Sequence, residues 1–222
     1  MKQLSRKHLS LTSILAVVGI FIFFSIVSVS RLFACSNSNV DMNYCDTFIV
    51  QKTYQVKDTI NYMDSIDSLR KQLIFSVDSY MKNIYPKTKL SSEHIVDMCI
   101  KHDFDIPLLL SQALQESCFG KVTRGNSVFG VQRKRYSHVN ESVDDYIKLM
   151  KKSYVRNRTP EQCIAMNFNV EGSRKYRYAG DSNYGRTIKK HRSRIIRDTE
   201  IKDLHEKIME YQDKLDSVNT PS

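Results

Sequence analysis

A chain of 222 residues has room for an anchor and one domain of ordinary size, which excludes a comfortable second domain. Hydrophobic residues at 41% and charged residues at 26% are ordinary for a folded protein that buries one core. Seven glycines, four prolines and no tryptophan leave few tight turns and point to a mostly helical chain, while a net charge of +10 points to an anionic partner.

Met1–His8 carries Lys2, Arg6 and Lys7, and Leu9–Ser30 is then apolar and uncharged. That run is long enough to cross a bilayer as a helix, which takes about 20 residues, and longer than the core of a signal peptide, about 7–15. The basic flank predicts an N-terminus inside and all that follows Arg31 outside the cytoplasm. Residues 1–31 therefore read as a cytoplasmic flank and transmembrane signal anchor. "LFAC", Leu32–Cys35, resembles a bacterial lipoprotein cleavage site, with Cys35 as the lipidated residue. Phe33 fits that pattern poorly and Arg31 interrupts the apolar core. Both readings tether the chain to a membrane from outside.

Residues 32–55 read as a polar stalk, and Val56–Tyr85 as a helix with Ile60, Met63, Ile66, Leu69, Leu73 and Val77 at helical spacing. Pro86 ends it, and Ser91 or Ser92 starts another. In "DIPLLLSQALQES", Asp105 caps a third helix and Pro107 sits in its first turn. Leu109, Ala113 and Glu116 follow at i, i+4 and i+7, which puts a carboxylate where an apolar stripe should continue. Asn140-Glu141-Ser142 opens the next helix, where Tyr146 lies on the apolar face and reads as core. Thr159-Pro160-Glu161 opens a short one, and Ile188 begins a long charged helix that frays near Ser217. Without alternating strands, the fold class is all-α or mainly α.

Five cysteines, Cys35, Cys45, Cys99, Cys118 and Cys163, are odd in number and suit no zinc spacing, so neither a metal nor another cofactor is expected. Between Arg174 and Arg197 a dense basic run faces only Asp181. It suits phospholipid head groups or an anionic wall polymer. The lack of a recognised fold signature argues against nucleic acid as the main partner.

Four pieces fall in order: "ALQESCFGK" (Ala113–Lys121), "NSVFGVQ" (Asn126–Gln132), "SVDDYIKLM" (Ser142–Met150) and "RYAGDSNYG" (Arg177–Gly185). Together, over roughly residues 91–190, they resemble the glucosaminidase domain family of bacterial and phage wall-cleaving enzymes, also described as mannosyl-glycoprotein endo-β-N-acetylglucosaminidase-like. The resemblance implies a lysozyme-like, mainly helical domain with a groove for a glycan strand. It implies cleavage of the β-1,4 bond after N-acetylglucosamine in peptidoglycan. On that footing residues 56–190 form the domain and 191–222 a charged C-terminal helix and tail.

By its place in "QES", Glu116 matches the family's catalytic general acid, and Tyr178 in "RYA" matches an aromatic residue lining the groove beside it. Asn126 and Phe129 match the piece that shapes the floor, although a phenylalanine beside glycine also plugs loops and Asn126 also suits a turn. Gln132 is able to bond sugar amides or backbone, and Tyr184 can offer its ring face to a sugar. A general acid must still carry its proton near neutral pH, and loss of hydration on an apolar helix face raises a glutamate's pKa.

One departure matters. Many members carry a second acid between the "N-x-x-F-G" piece and the following helix, yet "RKRYSHVN", Arg133–Asn140, has none. Glu141 and Asp144 suit helix capping equally well, and Asp145 is the third acid nearby. Without a second carboxylate, either the substrate's 2-acetamido group attacks, or one glutamate serves as acid and then base and leaves an anhydro sugar, as in lytic transglycosylases.

Overall fold

The computed structural model describes residues 42–130, 134–169 and 181–219, and the chain divides into two units, Met1–Thr53 and Tyr54–Ser222. The described part of the first unit is helical backbone. In chain order the helices are α1 (Met42–Ile84), α2 (Ser92–Lys101), α3 (Ile106–Ser117), α4 (Val139–Leu149), α5 (Pro160–Ala165), α6 (Tyr184–Asp198) and α7 (Ile201–Asn219). A π-helical turn, Met150–Tyr154, extends α4. No strand forms among the described residues, where Arg124 and Ser127 make an isolated antiparallel bridge. The fold is mainly helical, as composition and periodicity indicated.

Helix α3 lies at the centre of the second unit. Every residue from Ile106 to Ala113 is buried, and α2, α6 and α7 pack against it. A helix apolar nearly all round belongs inside a core. It surfaces only at its last turn, which is where Glu116 sits half-buried. Its start follows from the sequence: the Asp105 carboxylate accepts the Leu108 N–H at 2.5 Å, and Pro107 occupies the first turn where no donor is needed.

Its end is less ordinary. Cys118 and Phe119 both take left-handed backbone, φ +51° and +55°. Their N–H groups close onto Leu114 O at 3.0 Å and Ala113 O at 3.1 Å, a Schellman-type stop. Left-handed backbone costs a side chain-bearing residue roughly 1–2 kcal/mol. Full burial of the Phe119 ring, with Tyr80 edge-on at 5.9 Å, outweighs this, since deleting such a ring costs about 3–5 kcal/mol.

Arg192 of α6 is buried and joins three elements. It donates to Asp105 at 3.1 and 2.7 Å and to Glu161 of α5 at 2.6 Å. Thr159 and Gln162 form a reciprocal capping box at the start of α5. Cys99 and Cys163 are buried free thiols and Cys118 is a partly exposed one.

The segment read as a polar stalk, residues 32–55, is helical from Met42 onward. The long terminal helix is two: Thr199 is extended (φ −142°, ψ 161°), and its hydroxyl donates to Ile195 O at 2.7 Å, which caps α6 before Ile201 starts α7. Within the C-terminal helical region, Ile195, Ile201, Leu204 and Ile208 belong to the core. The expected membrane span, Leu9–Ser30, lies outside the described residues, among which no helix is long and apolar enough to cross a membrane.

Candidate active site

The residues around Glu116 form a chain of hydrogen bonds through the core. Gln112 and Glu116 share one face of α3, four residues apart. Gln112 is fully buried, and both ends of its amide are occupied. The Tyr146 hydroxyl donates to its Oε1, and its Nε2 donates to the Tyr184 hydroxyl at 3.0 Å. That hydroxyl also lies close enough to the Glu116 carboxyl to favour its charged form. Tyr146 is held rigidly, stacked on Phe129 (centroids 4.0 Å apart, 17° between planes) and edge-on to Phe104 at 5.8 Å.

Burial lifts the Glu116 carboxyl above the usual glutamate range, and the nearby Tyr184 hydroxyl opposes the rise without cancelling it. Oε2 of Glu116 faces Gly130, where a β-carbon would stand 3.9 Å away. Gly130 has φ +63°, a backbone that disfavours any side chain and leaves space in front of the acid.

The other site residues divide. Tyr184 is buried, with its ring edge-on to Phe168 at 5.7 Å, so it offers the site a hydroxyl rather than an open ring face. Phe129 is 2% exposed and lies under Tyr146, which makes it a floor for the network and not a surface for a ligand. Asn126 adopts φ +58°, and its Nδ2 donates to Tyr136 O at 3.0 Å and Ser137 O at 3.1 Å; it ties a loop together. Gln132 and Tyr178 lie outside the described residues. Sequence reasoning assigned no role to Gln112 and read Tyr146 as packing; the signal for Gln112 was an amide on the same helix face as Glu116.

The nearby acids are engaged elsewhere. Asp145 binds Lys134 at 2.8 Å and accepts from the Tyr136 hydroxyl at 3.3 Å, and chiefly the Lys134 contact holds it below the usual carboxylate range. Asp144 meets His94 Nε2 at 2.6 Å. Glu141 accepts from the Ser137 hydroxyl and N–H, and that hydroxyl above all keeps its carboxyl low. A low carboxylate stays ionised and is unsuited to donating a proton near neutral pH. Glu116 is thus raised where Asp145 and Glu141 are lowered. Among the described residues there is no group of three or more His, Cys, Asp or Glu able to hold a metal ion.

No protein-family model, curated protein or solved structure matches the chain.

Proposed function

We propose that the chain cleaves β-1,4 glycosidic bonds next to N-acetylglucosamine in peptidoglycan, with Glu116 as the general acid. The observation that carries this reading is the state of Glu116: half-buried at the surfacing end of a core helix, with Oε2 facing Gly130, and raised above the glutamate range by burial. Protonating a departing glycosidic oxygen needs a carboxyl that still holds its proton near neutral pH. Tyr178 completes the site in this reading, with Gln132 available to sugar amides. The N-terminal apolar segment (or a lipid on Cys35) confines cutting to the wall next to the membrane. The basic residues around α6 face an anionic wall polymer.

A second reading concerns the reaction type. Asp144, Asp145 and Glu141 are each held by another side chain, which favours a one-glutamate mechanism. Either the substrate's acetamido oxygen is the nucleophile, or the sugar closes on itself to an anhydro product as in lytic transglycosylases. A third reading, a non-catalytic glycan-binding scaffold, draws on the same missing acid.

One experiment separates them. Purified peptidoglycan is digested with the chain lacking its first 35 residues, beside Glu116→Gln, and the products are read by mass spectrometry. New reducing N-acetylglucosamine ends from the wild type alone support the glucosaminidase. Anhydro-muramyl ends keep the acid and change the reaction, and binding without products leaves the scaffold. Full activity in Glu116→Gln refutes the role of Glu116.

A further inference from the structure

We propose that the groove between α1 and the corner of α6 and α7 is a second glycan site, which holds an uncharged sugar chain without cutting it. The groove stands apart from Glu116, and its binding is measurable without any activity.

All of its lining belongs to the second unit. It encloses about 1200 Å³. Pockets for single small molecules run to about 300–1,000 Å³, so this one suits a length of chain. Leu114, Leu204 and Ile84 supply its apolar surface. Leu114 stands two residues from Glu116, about 200° around α3, so groove and acid open on opposite faces of that helix.

One wall is a stripe of uncharged hydrogen-bonding groups. Gln72, Ser76, Ser79 and Asn83 stand at i, i+4, i+7 and i+11 on α1, in line over about 16 Å. Among the described residues, the side chains of Ser76, Ser79 and Asn83 make no hydrogen bond, and Gln72 reaches Ser68 Oγ only at 3.5 Å. Hydroxyls and amides both give and accept, as the hydroxyl and acetamido groups of a sugar do. Phe75 flanks the stripe on one side with 73% of its surface exposed, which leaves a ring face for the C–H side of a sugar. Tyr80 flanks it on the other, held edge-on to Phe119 at 5.9 Å.

Charge decides the class of ligand. Lys71 and Arg194 line the groove against Asp198 and Glu200, so their charges cancel. Asp198 is also engaged by Arg197 at 2.7 Å and faces Arg194 at 4.0 Å. Burial holds His191 below the usual histidine range, which keeps it neutral near pH 7. A chain of net charge +10 therefore has here a groove without a net field. A phospholipid surface or a nucleic acid gains nothing from such a groove, whereas an uncharged polymer of hydroxyls and amides does. In a wall-cleaving enzyme the groove would keep the protein on one strand while another is cut; that benefit alone rests on the reading of Glu116.

The chain has no tryptophan, so Phe75→Trp places its one indole at the groove. The full chain, held in a sugar-free detergent, carries Glu116→Gln as well, which keeps the probe intact. Chitopentaose, the uncharged pentamer of N-acetylglucosamine, should shift the indole emission to shorter wavelength and saturate. Ser79→Ala or Asn83→Ala, added singly, should each weaken that binding about three- to tenfold, the loss of one neutral hydrogen bond. Far-UV circular dichroism checks the fold. Should Phe75→Trp not fold, amide NMR shifts over residues 72–84 and 191–204 of the Glu116→Gln chain give the same reading. No change at millimolar sugar, an affinity untouched by both alanine variants, or an equal response to an uncharged pentapeptide overturns the proposal. Wall digestion by the chain without substitutions separates the two ideas. Binding without digestion keeps the groove and refutes the glycosidase, whereas digestion without binding does the reverse.

Discussion

Gly185 is the second residue of α6 and follows the tyrosine that meets Glu116, and replacing it by alanine sets two effects against each other. Alanine is the better helix former, by about 1 kcal/mol. Yet a β-carbon at 185 would stand 2.5 Å from the Ile164 carbonyl oxygen, 2.9 Å from Asn167 Oδ1 and 3.2 Å from Asn167 Cα. Comfortable contacts between carbons settle at about 3.5–4.0 Å, so α5 and α6 must separate by about 1 Å. Two of the three obstructing atoms are backbone and cannot swing aside. Overpacking of this kind costs about 1–3 kcal/mol, and stretching the Gly185 N–H bond to Asn167 Oδ1 about 1 kcal/mol more. The steric side wins, and Gly185→Ala should lose about 1–3 kcal/mol net, or several degrees of Tm in a domain of this size. Urea denaturation followed by far-UV circular dichroism reads it. A variant as stable as the wild type, or more so, means that helix propensity decides and that α5 and α6 are not in close contact here.

Two further outcomes follow from burial and charge. Arg192→Met should destabilise by about 3–5 kcal/mol in the same assay, since it leaves Asp105 and Glu161 without their cation. Asp105→Asn added to it should recover part of the loss, and a single-mutant loss below about 1 kcal/mol would mark an ordinary surface pair. Glu116 carries a stability cost of its own. Its carboxyl is raised in the folded state, so its contribution is whole below the ordinary glutamate range and is lost as pH climbs through the raised value. Glu116→Gln should therefore gain on the wild type in urea curves as pH rises from about 4 to 8. Parallel curves across that range would show that burial does not act on this carboxyl.

The helices were legible because their signals are local. Ser91 capping α2, Asp105 and Pro107 opening α3, and Thr159 and Pro160 opening α5 are all read from neighbours within four residues. The break between α6 and α7 was not legible. Thr199 is acceptable inside a charged helix by composition, and only the core positions of Ile195 and Ile201 require the chain to turn there. In the site, Glu116 stood out as a carboxylate on an apolar face. Gln112 and Tyr146 did not, because their partners lie 72 and 34 residues from Gln112. The ring of Tyr184 suits stacking on a sugar by residue type, and only its packing against Phe168 encloses it. Asn126 likewise has a chemistry that suits a ligand and is occupied by backbone.

Helix α6 grips α3 at two points. Arg192 holds Asp105 before the first turn of α3, and Tyr184 holds Gln112 in its second half. The two helices therefore run in opposite directions, and their register is fixed twice over. Inserting one residue between 184 and 192 would swing one grip about 100° around the helix axis while the other held, so no sliding adjustment rescues it. Parts locked in this way open together or not at all. The amide hydrogens in the middle of α3 and α6 should thus exchange with solvent only through the largest cooperative opening of the domain, although one end of that pair forms the edge of the site.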